Sequence, residues 1–211
     1  MIWAIVPVKP FSSAKSRLAS VLSDAERAGL SREFLNHVLG VLAQMPAIAQ
    51  ILVVSRDPAA LEVARATGVQ SVAENGSHGL NAAVTHATRV ARDARANAVL
   101  ILPTDLPFLS TSDVAQLVSD DEAGPVMAIA PDRHEQGTNA LFVRPPGLLP
   151  YAFGEGSFAR HLALAAHAQI RVRVCRLPGA ALDIDMPEDW LIYQAGRVPS
   201  APSIKENEHD P

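Results

Sequence analysis

The sequence predicts an α/β fold: a mostly parallel central sheet with helices on both of its faces. Short apolar runs alternate with longer amphipathic segments through the first half of the chain, which is typical of βαβ units. Most of these runs are apolar at consecutive positions, as expected for strands buried on both faces. Apolar residues make up 48% of the 211 residues and charged residues 19%, which is a globular composition.

The first half of the chain supplies its own start and stop signals. The run 2–8 is almost wholly apolar and ends at a proline-rich turn, which predicts the first strand. Ser23 and Glu26 have the spacing of a capping box, so we expect a helix to begin there and to end before Pro46. The same reasoning predicts strands at 51–54, 70–72 and 98–102, and helices at 58–67 and 80–94.

The pattern changes in the second half. The run 170–174 alternates apolar residues with arginines, which we expect to be exposed at a sheet edge. A last helix begins near Pro187, with Glu188 and Asp189 favourably placed at its positive end. The other elements predicted here are strands at 126–130 and 140–143, a polar loop between them at 131–139, and a helix at 157–167.

Length and composition exclude several classes of protein. The length indicates one domain, which we place at 1–195, followed by a polar, proline-containing tail at 196–211 that we expect to be disordered. The net charge of −4 argues against a nucleic-acid partner. The single cysteine, Cys175, excludes an internal disulfide or a cysteine-based zinc site. No run is long enough to span a membrane and the N-terminus lacks a basic leader, so we expect a cytoplasmic protein.

The first candidate site follows the first strand. Lys9, Lys15 and Arg17 stand among three serines, and they could converge on a polyphosphate. The alternative is a solvated surface loop. The segment matches neither the dinucleotide-binding nor the P-loop glycine pattern, so it supports neither a dehydrogenase nor a P-loop NTPase.

Three aspartates form the second and third candidates. Asp105 follows the central strand between two prolines, and a hard cation such as Mg²⁺ shared with phosphates is its natural partner. Asp183 and Asp185 face the same way in an extended backbone, with Ile184 turned towards the core. They could complete the coordination begun by Asp105, although Asp185 could instead cap the helix at Pro187.

Two further segments are candidates for ligand binding. The polar density of 131–139 is typical of a loop that folds over a bound molecule. In the segment 153–161, glycines and Ser157 come just before a helix, where backbone N–H groups can bind a phosphate or carboxylate. Ser157 could equally act only as the N-cap of that helix.

In this order, the motifs resemble the nucleotidyltransferase fold seen in molybdenum-cofactor guanylyltransferases. They are more closely similar to the guanylyltransferase family of coenzyme F420 biosynthesis, over residues 2 to about 191. The resemblance implies a single-domain, Rossmann-like nucleotidyltransferase fold. Its carriers are Val6–Phe11 with Ala14–Leu18, Gly79–Ala82, Leu102–Pro107, Gly137–Leu141, Phe153–Phe158 and Asp183–Asp185.

The resemblance also implies a reaction. In this family GTP condenses with a small phosphorylated three-carbon acid (2-phospho-L-lactate, phosphoenolpyruvate or 3-phospho-D-glycerate) to give a diphosphate-linked guanosine adduct and pyrophosphate. The resemblance implies that Lys9, Lys15 and Arg17 bind the phosphates of GTP and take part in catalysis, and that Asp105, Asp183 and Asp185 bind Mg²⁺. Asp105 is implied to be catalytic as well. Contact with the nucleoside is implied for Gly79, Leu80 and Asn81, and binding of the phosphorylated acid for Thr138, Gly154 and Ser157.

Other functions stay open at this point. A molybdopterin or sugar-phosphate nucleotidyltransferase is one, although the glycine-rich form of the first loop is missing. A nucleotide-binding module without catalysis is another. The residues by themselves do not decide between guanine and another base, between the three acids, or between a monomer and a homodimer.

Overall fold

The computed structural model describes residues 1–74, 79–119 and 124–196, and it has the predicted α/β architecture. Part of the predicted loop after Glu74 and nearly all of the tail predicted to be disordered lie outside the described residues. Within the described part, no helix is both long and apolar enough to cross a membrane.

The predicted elements all occur, with shifts of a few residues at their ends. The first half contains β1 (Ile2–Val8), α1 (Asp24–Ala43), β2 (Ile48–Ser55), α2 (Pro58–Ala66), β3 (Gln70–Ala73), α3 (Leu80–Asp93) and β4 (Ala98–Ile101). The second half contains α4 (Thr111–Val118), β5 (Val126–Pro131), β6 (Thr138–Arg144), α5 (Ser157–His167), β7 (Arg171–Val174) and α6 (Pro187–Gln194). Short 3₁₀ turns lie at Ser16–Leu18 and Pro178–Ala180.

One seven-stranded sheet has the order β3-β2-β1-β4-β6-β5-β7. The strands β1 to β4 are mutually parallel where they pair, β6 runs antiparallel to both β4 and β5, and β7 is parallel to β5. Both faces of the sheet are covered, as predicted. In β1, for example, Ala4 and Val6 belong to one buried cluster, and Trp3 and Ile5 belong to the cluster on the opposite face.

The parallel half of the sheet brings distant loops to one edge. Val8, Ser55 and Ala73 end their strands as register partners on β1, β2 and β3. The loops after β1, β2 and β3 therefore begin side by side at the carboxyl edge of the sheet, where open α/β sheets bind their ligands. The parallel strand β4 ends opposite Ile5 and directs its loop to the same edge.

The position of β7 at a sheet edge is confirmed, but the expected exposure of its arginines is wrong. Arg171 and Arg173 are only partly exposed, and Val174 is the exposed residue of the strand. The Arg173 guanidinium folds back and donates a hydrogen bond to the carbonyl of Gln116, at 2.9 Å, in the last turn of α4. Carbonyl groups in the last turn of a helix lack intrahelical hydrogen-bond donors, so they can accept a hydrogen bond from the Arg173 side chain in place of water.

Some of the residues predicted as helix caps do cap helices, whereas two that were also candidates for ligand or metal binding do not. The capping box of Ser23 and Glu26 is present, as predicted. Ser157 is not an N-cap: Gly156, at φ 65°, takes that position for α5. Nor does Asp185 cap α6, because the Asp189 carboxylate accepts the N–H groups of Asp185 and Met186, at 3.0 and 2.7 Å. The side chains of Ser157 and Asp185 are thus free of the capping roles considered for them.

Candidate active site

A cleft of about 780 Å³ runs along the carboxyl edge of the parallel strands. Loops from both halves of the chain form its walls, including residues of the predicted ligand-covering loop 131–139 and of the predicted anion-binding segment 153–161. The predicted site residues that line it are Lys9, Lys15, Arg17, Gly79, Leu80, Asp105, Thr138, Gly154, Ser157, Asp183 and Asp185.

The two acidic segments are held next to each other by a backbone hydrogen bond. The N–H of Ile184 donates to the carbonyl of Asp105 at 3.1 Å. Ile184 itself is fully buried, as its position between two aspartates predicts. The carboxylates of Asp183 and Asp185 therefore flank the loop that carries Asp105, and all three line the cleft.

Lys15 lies among these carboxylates. Its ammonium Nζ is 3.2 Å from Asp105 Oδ2 and 3.6 Å from Asp185 Oδ1, and only 7% of its side chain is exposed. Lys15 adopts φ 56°, a left-handed backbone conformation that is uncommon for a residue with a side chain. Arg17 is more exposed and reaches Asp185 with Nη1 at 3.5 Å. Cations and acids are therefore interleaved, and do not occupy opposite walls of the cleft.

The carboxyl groups respond to this arrangement in opposite directions. Burial opposes ionisation of Asp105, but the positive charges of Lys15 and Lys9 outweigh it and hold its pKa below the usual value. Burial and the neighbouring Asp105 carboxylate raise the pKa of Asp183 to about 7, although a hydrogen bond from Asn139 partly offsets this. Ionisation is thus favoured at Asp105 and opposed at Asp183.

The three aspartates were tested as ligands of the predicted Mg²⁺ by their positions and by their chemistry. Among the described residues, no three acidic, histidine or cysteine side chains are grouped so that they could hold a metal ion in these positions. Carboxylate oxygens are nevertheless the donors that Mg²⁺ prefers, and a bound divalent cation would favour the ionised form of Asp183, which its burial and the neighbouring carboxylates disfavour. The chemistry of the donor set fits the predicted ion.

A buried histidine orients the hydroxyl of Thr138. The backbone N–H of Ala152 donates to Nε2 of His161 at 3.0 Å, so the neutral ring carries its proton on Nδ1. Nδ1 lies 3.0 Å from Thr138 Oγ1, which must therefore accept. The hydroxyl proton of Thr138 stays available for a ligand in the cleft. Burial and the nearby charge of Arg160 lower the pKa of His161 to about 4.

Asn81 supports the cleft without lining it. Its amide Nδ2 donates to the carbonyl of Phe153 at 3.1 Å, and its Oδ1 accepts the N–H of the same residue at 2.8 Å. Both ends of the amide are thus used to hold the loop that continues to Gly154. The contact with the nucleoside that the resemblance implies for Asn81 stays a prediction.

The loop 131–139 is organised by one carboxylate. Asp132 accepts the N–H groups of His134, Gln136 and Gly137 at 2.9 to 3.0 Å. A Cβ at Gly137 would come within 2.9 Å of Asp132 Oδ2, so this glycine permits the close approach. The loop therefore presents Gln136 and Thr138 to the cleft from a preformed turn.

Sequence reasoning missed several polar residues of the site. Asn139, buried in β6, donates to the carbonyl of Ala180 at 3.0 Å and to Asp183 Oδ1 at 3.2 Å. The available signal was its position at the end of the predicted polar loop 131–139, directly before the apolar run 140–143. Arg56 and Glu74 follow β2 and β3, line the cleft and form an ion pair, with Nε and Oε2 3.5 Å apart. Their positions after predicted strands could have identified them.

Solved structures identify the fold. A nucleotidyl transferase from Methanothermobacter thermautotrophicus superposes with a TM-score of 0.68 at 15% identity, over 93% of this chain and 97% of that one. The 4-diphosphocytidyl-2C-methyl-D-erythritol synthase from Anaerococcus prevotii superposes with a TM-score of 0.65 at 13% identity, over 93% and 95%. The fold is that of the nucleotidyltransferases, as the resemblance implied.

Sequence relatives identify the family. Residues 2–194 match the family described as guanylyl transferase CofC like. The phosphoenolpyruvate guanylyltransferase of Rubrobacter xylanophilus is 46% identical over 194 residues, which are 92% of this chain and 94% of that relative. That of Sphaerobacter thermophilus is 40% identical over 205 residues, 97% of each chain. The chain belongs to the CofC-like guanylyl transferase family and is a nucleotidyltransferase enzyme.

Proposed function

We propose that the protein transfers the guanylyl group of GTP to phosphoenolpyruvate, with Mg²⁺ as cofactor, in a step of coenzyme F420 biosynthesis. The products are a diphosphate-linked guanosine adduct of the acid and pyrophosphate. Among the three acids compatible with the sequence, phosphoenolpyruvate is the acceptor named for the relatives at 46% and 40% identity. Because both substrates are highly charged metabolites, we propose the cytoplasm as the place of the reaction.

The reaction needs alignment and charge neutralisation more than a side-chain base. The phosphate of the acid is largely ionised near neutral pH, so one of its oxygens is already a nucleophile. This oxygen forms a bond to the α-phosphorus of GTP, and the bond from that phosphorus to the bridging oxygen of the β-phosphate breaks, which releases pyrophosphate. Two polyanions must be held in line while charge spreads over the phosphoryl oxygens.

The cleft provides groups for both tasks. Lys9, Lys15 and Arg17 would neutralise the phosphates of GTP. Asp105, Asp183 and Asp185 would hold Mg²⁺, which supplies further positive charge at the reacting phosphates when it is bound. Thr138, with its hydroxyl proton directed away from His161, would donate to the phosphorylated acid together with the N-terminus of α5 at Ser157.

One observation carries the proposal. The buried Lys15 ammonium lies within 3.2 and 3.6 Å of carboxylates from two separate acidic segments, inside the cleft that Thr138 and Ser157 also line. Burying such a mixture of charges is costly in free energy, which supports a role for the cluster in binding a charged ligand. The substrates of guanylyl transfer are ligands of this kind.

A competition assay tests the proposal. The protein is incubated with GTP, Mg²⁺ and equal concentrations of phosphoenolpyruvate, 2-phospho-L-lactate and 3-phospho-D-glycerate, and the adducts are separated by mass. We expect pyrophosphate release and an adduct dominated by phosphoenolpyruvate. A dominant adduct with another acid would reassign the acceptor. GTP binding with no pyrophosphate release from any acid would contradict the reaction and favour a nucleotide-binding module.

A further inference from the structure

We propose that Glu74 reads the base of the nucleotide: its carboxylate accepts hydrogen bonds from N1–H and from the 2-amino group of guanine. This inference rests on the proposed function, because it assumes that GTP occupies the cleft. It assigns the base selectivity of the enzyme to one side chain.

The first argument is the place of Glu74 along the cleft. Glu74 follows β3, the outer strand of the parallel half, whereas Asp105 follows β4. Neighbouring strands lie about 4.8 Å apart, so three strand spacings separate the two loops by roughly 14 Å. If the triphosphate of GTP binds near Lys15 and Asp105, the ribose and the base can occupy the part of the cleft that extends towards Glu74.

The second argument is an unsatisfied buried acceptor. Oε2 of Glu74 is buried, and none of the described residues donates a hydrogen bond to it. Nε of Arg56 lies 3.5 Å from this oxygen, which is longer than a hydrogen bond between charged groups. A buried carboxylate oxygen without donors is destabilising, so such a group is expected to serve a ligand.

The third argument is that the other carboxylates of the cleft are less suitable. Asp132 already accepts three backbone N–H groups, and Glu155 is exposed. Asp105, Asp183 and Asp185 lie in the acidic cluster around Lys15. Beside Glu74, Leu80 and Ala83 give the wall an apolar surface on which a flat ring can pack.

Base chemistry then sets the selectivity. Guanine presents two adjacent donors, N1–H and the 2-amino group, to a carboxylate. Adenine presents the N1 lone pair there, which a carboxylate repels. Xanthine replaces the 2-amino group with an oxygen, which a carboxylate repels but a glutamine amide can bind. The variant Glu74→Gln should therefore shift preference from GTP towards xanthosine triphosphate.

Binding measurements test this separately from turnover. Isothermal titration calorimetry with Mg²⁺ gives Kd for GTP and xanthosine triphosphate, using the full-length protein and Glu74→Gln. We expect GTP binding to weaken about 10- to 100-fold in the variant, while xanthosine triphosphate binding tightens, since hydrogen bonds to a charged group have this range of strength. The matched control is Glu62→Gln on the exposed surface of α2, which should leave both constants unchanged.

The outcomes separate the two proposals. An equal loss of affinity for both nucleotides in Glu74→Gln would overturn the assignment, because Glu74 would then serve only to hold Arg56. If the variant does not fold, the unmodified protein decides: inosine triphosphate, which lacks the 2-amino group, should bind about tenfold more weakly than GTP, and equal binding would overturn the assignment. Correct base selectivity without pyrophosphate release would instead contradict only the proposed reaction.

Discussion

Nζ of Lys15 lies 3.2 Å from Oδ2 of Asp105, although the two residues come from loops that follow different strands. This contact joins the cationic loop after β1 to the acidic loop after β4. It keeps Asp105 ionised in spite of its burial, and it provides positive charge at the place where the phosphates of a nucleotide are proposed to bind.

Removing the charge of Asp105 should abolish catalysis without unfolding the protein. Asp105→Asn keeps the shape of the side chain but leaves Lys15 without its closest carboxylate and weakens the proposed metal site. We expect kcat to fall at least about 100-fold, the usual scale for losing one group that stabilises transition-state charge. Pyrophosphate release measures kcat, and circular dichroism checks the fold. Asp93→Asn, on an exposed position of α3, is the control. Full activity of Asp105→Asn would refute its role.

A divalent cation should stabilise the unmodified protein. The Asp183 carboxyl group is repelled by the charges of Asp105 and Asp185, so a bound Mg²⁺ should relieve this repulsion and favour the folded state. A cation present at 100 times its Kd should add about 2.7 kcal/mol to the free energy of unfolding. Thermal unfolding measured over a Mg²⁺ series tests this, with Asp183→Asn as the variant in which the gain should shrink. A midpoint that does not respond to Mg²⁺ would argue against the predicted metal.

The neutral state of His161 predicts a loss of stability in mild acid. The pKa of this histidine is about 4 in the folded protein, against 6.5 for an unperturbed one. Between these pH values the histidine binds a proton in the unfolded chain but not in the folded one, so its own contribution to stability falls as the pH drops from 6.5 to 4. The contribution is roughly 3 kcal/mol in total, and it is fully present above pH 6.5.

His161→Asn isolates that contribution. Asparagine does not titrate in this pH range. The difference in unfolding free energy between the unmodified protein and His161→Asn should therefore narrow by roughly 3 kcal/mol from pH 6.5 to 4. Urea unfolding at each pH measures it, and His167→Asn, an exposed histidine of the same helix, serves as the control. Parallel curves for the original protein and His161→Asn would show that the histidine is not held neutral.

Two glycines should respond in opposite ways to alanine. At Gly179 a Cβ would lie 2.4 Å from the backbone carbonyl of Phe108 and would also collide with the Asp113 carboxylate, so Gly179→Ala should lower the unfolding free energy by about 1–3 kcal/mol through overpacking. At Gly40, inside α1, a Cβ meets nothing within 4 Å, and Gly40→Ala should raise stability by up to about 1 kcal/mol. Urea unfolding of both variants tests the pair. Equal effects would contradict the packing described around Gly179.

The strands and helices were predictable because their signals are local. The apolar run 2–8, the capping box of Ser23 and the glycine and proline stops depend on neighbouring residues only, and each element occurs where expected. The aspartate after the central strand was also predictable, because parallel strands direct their following loops to one edge of the sheet. The sequence alone therefore determined the fold class and most of the residues that line the cleft.

Only the tertiary structure decided which partner each side chain meets. The bond from Ile184 to Asp105 brings two distant acidic segments together, and Lys15 lies among them instead of on an opposite wall. Asn81, Arg173 and Glu74 likewise take partners or positions set by elements far away in the chain. These contacts depend on how helices and loops pack across the sheet, and local periodicity carries no information about distances between residues so far apart in the chain.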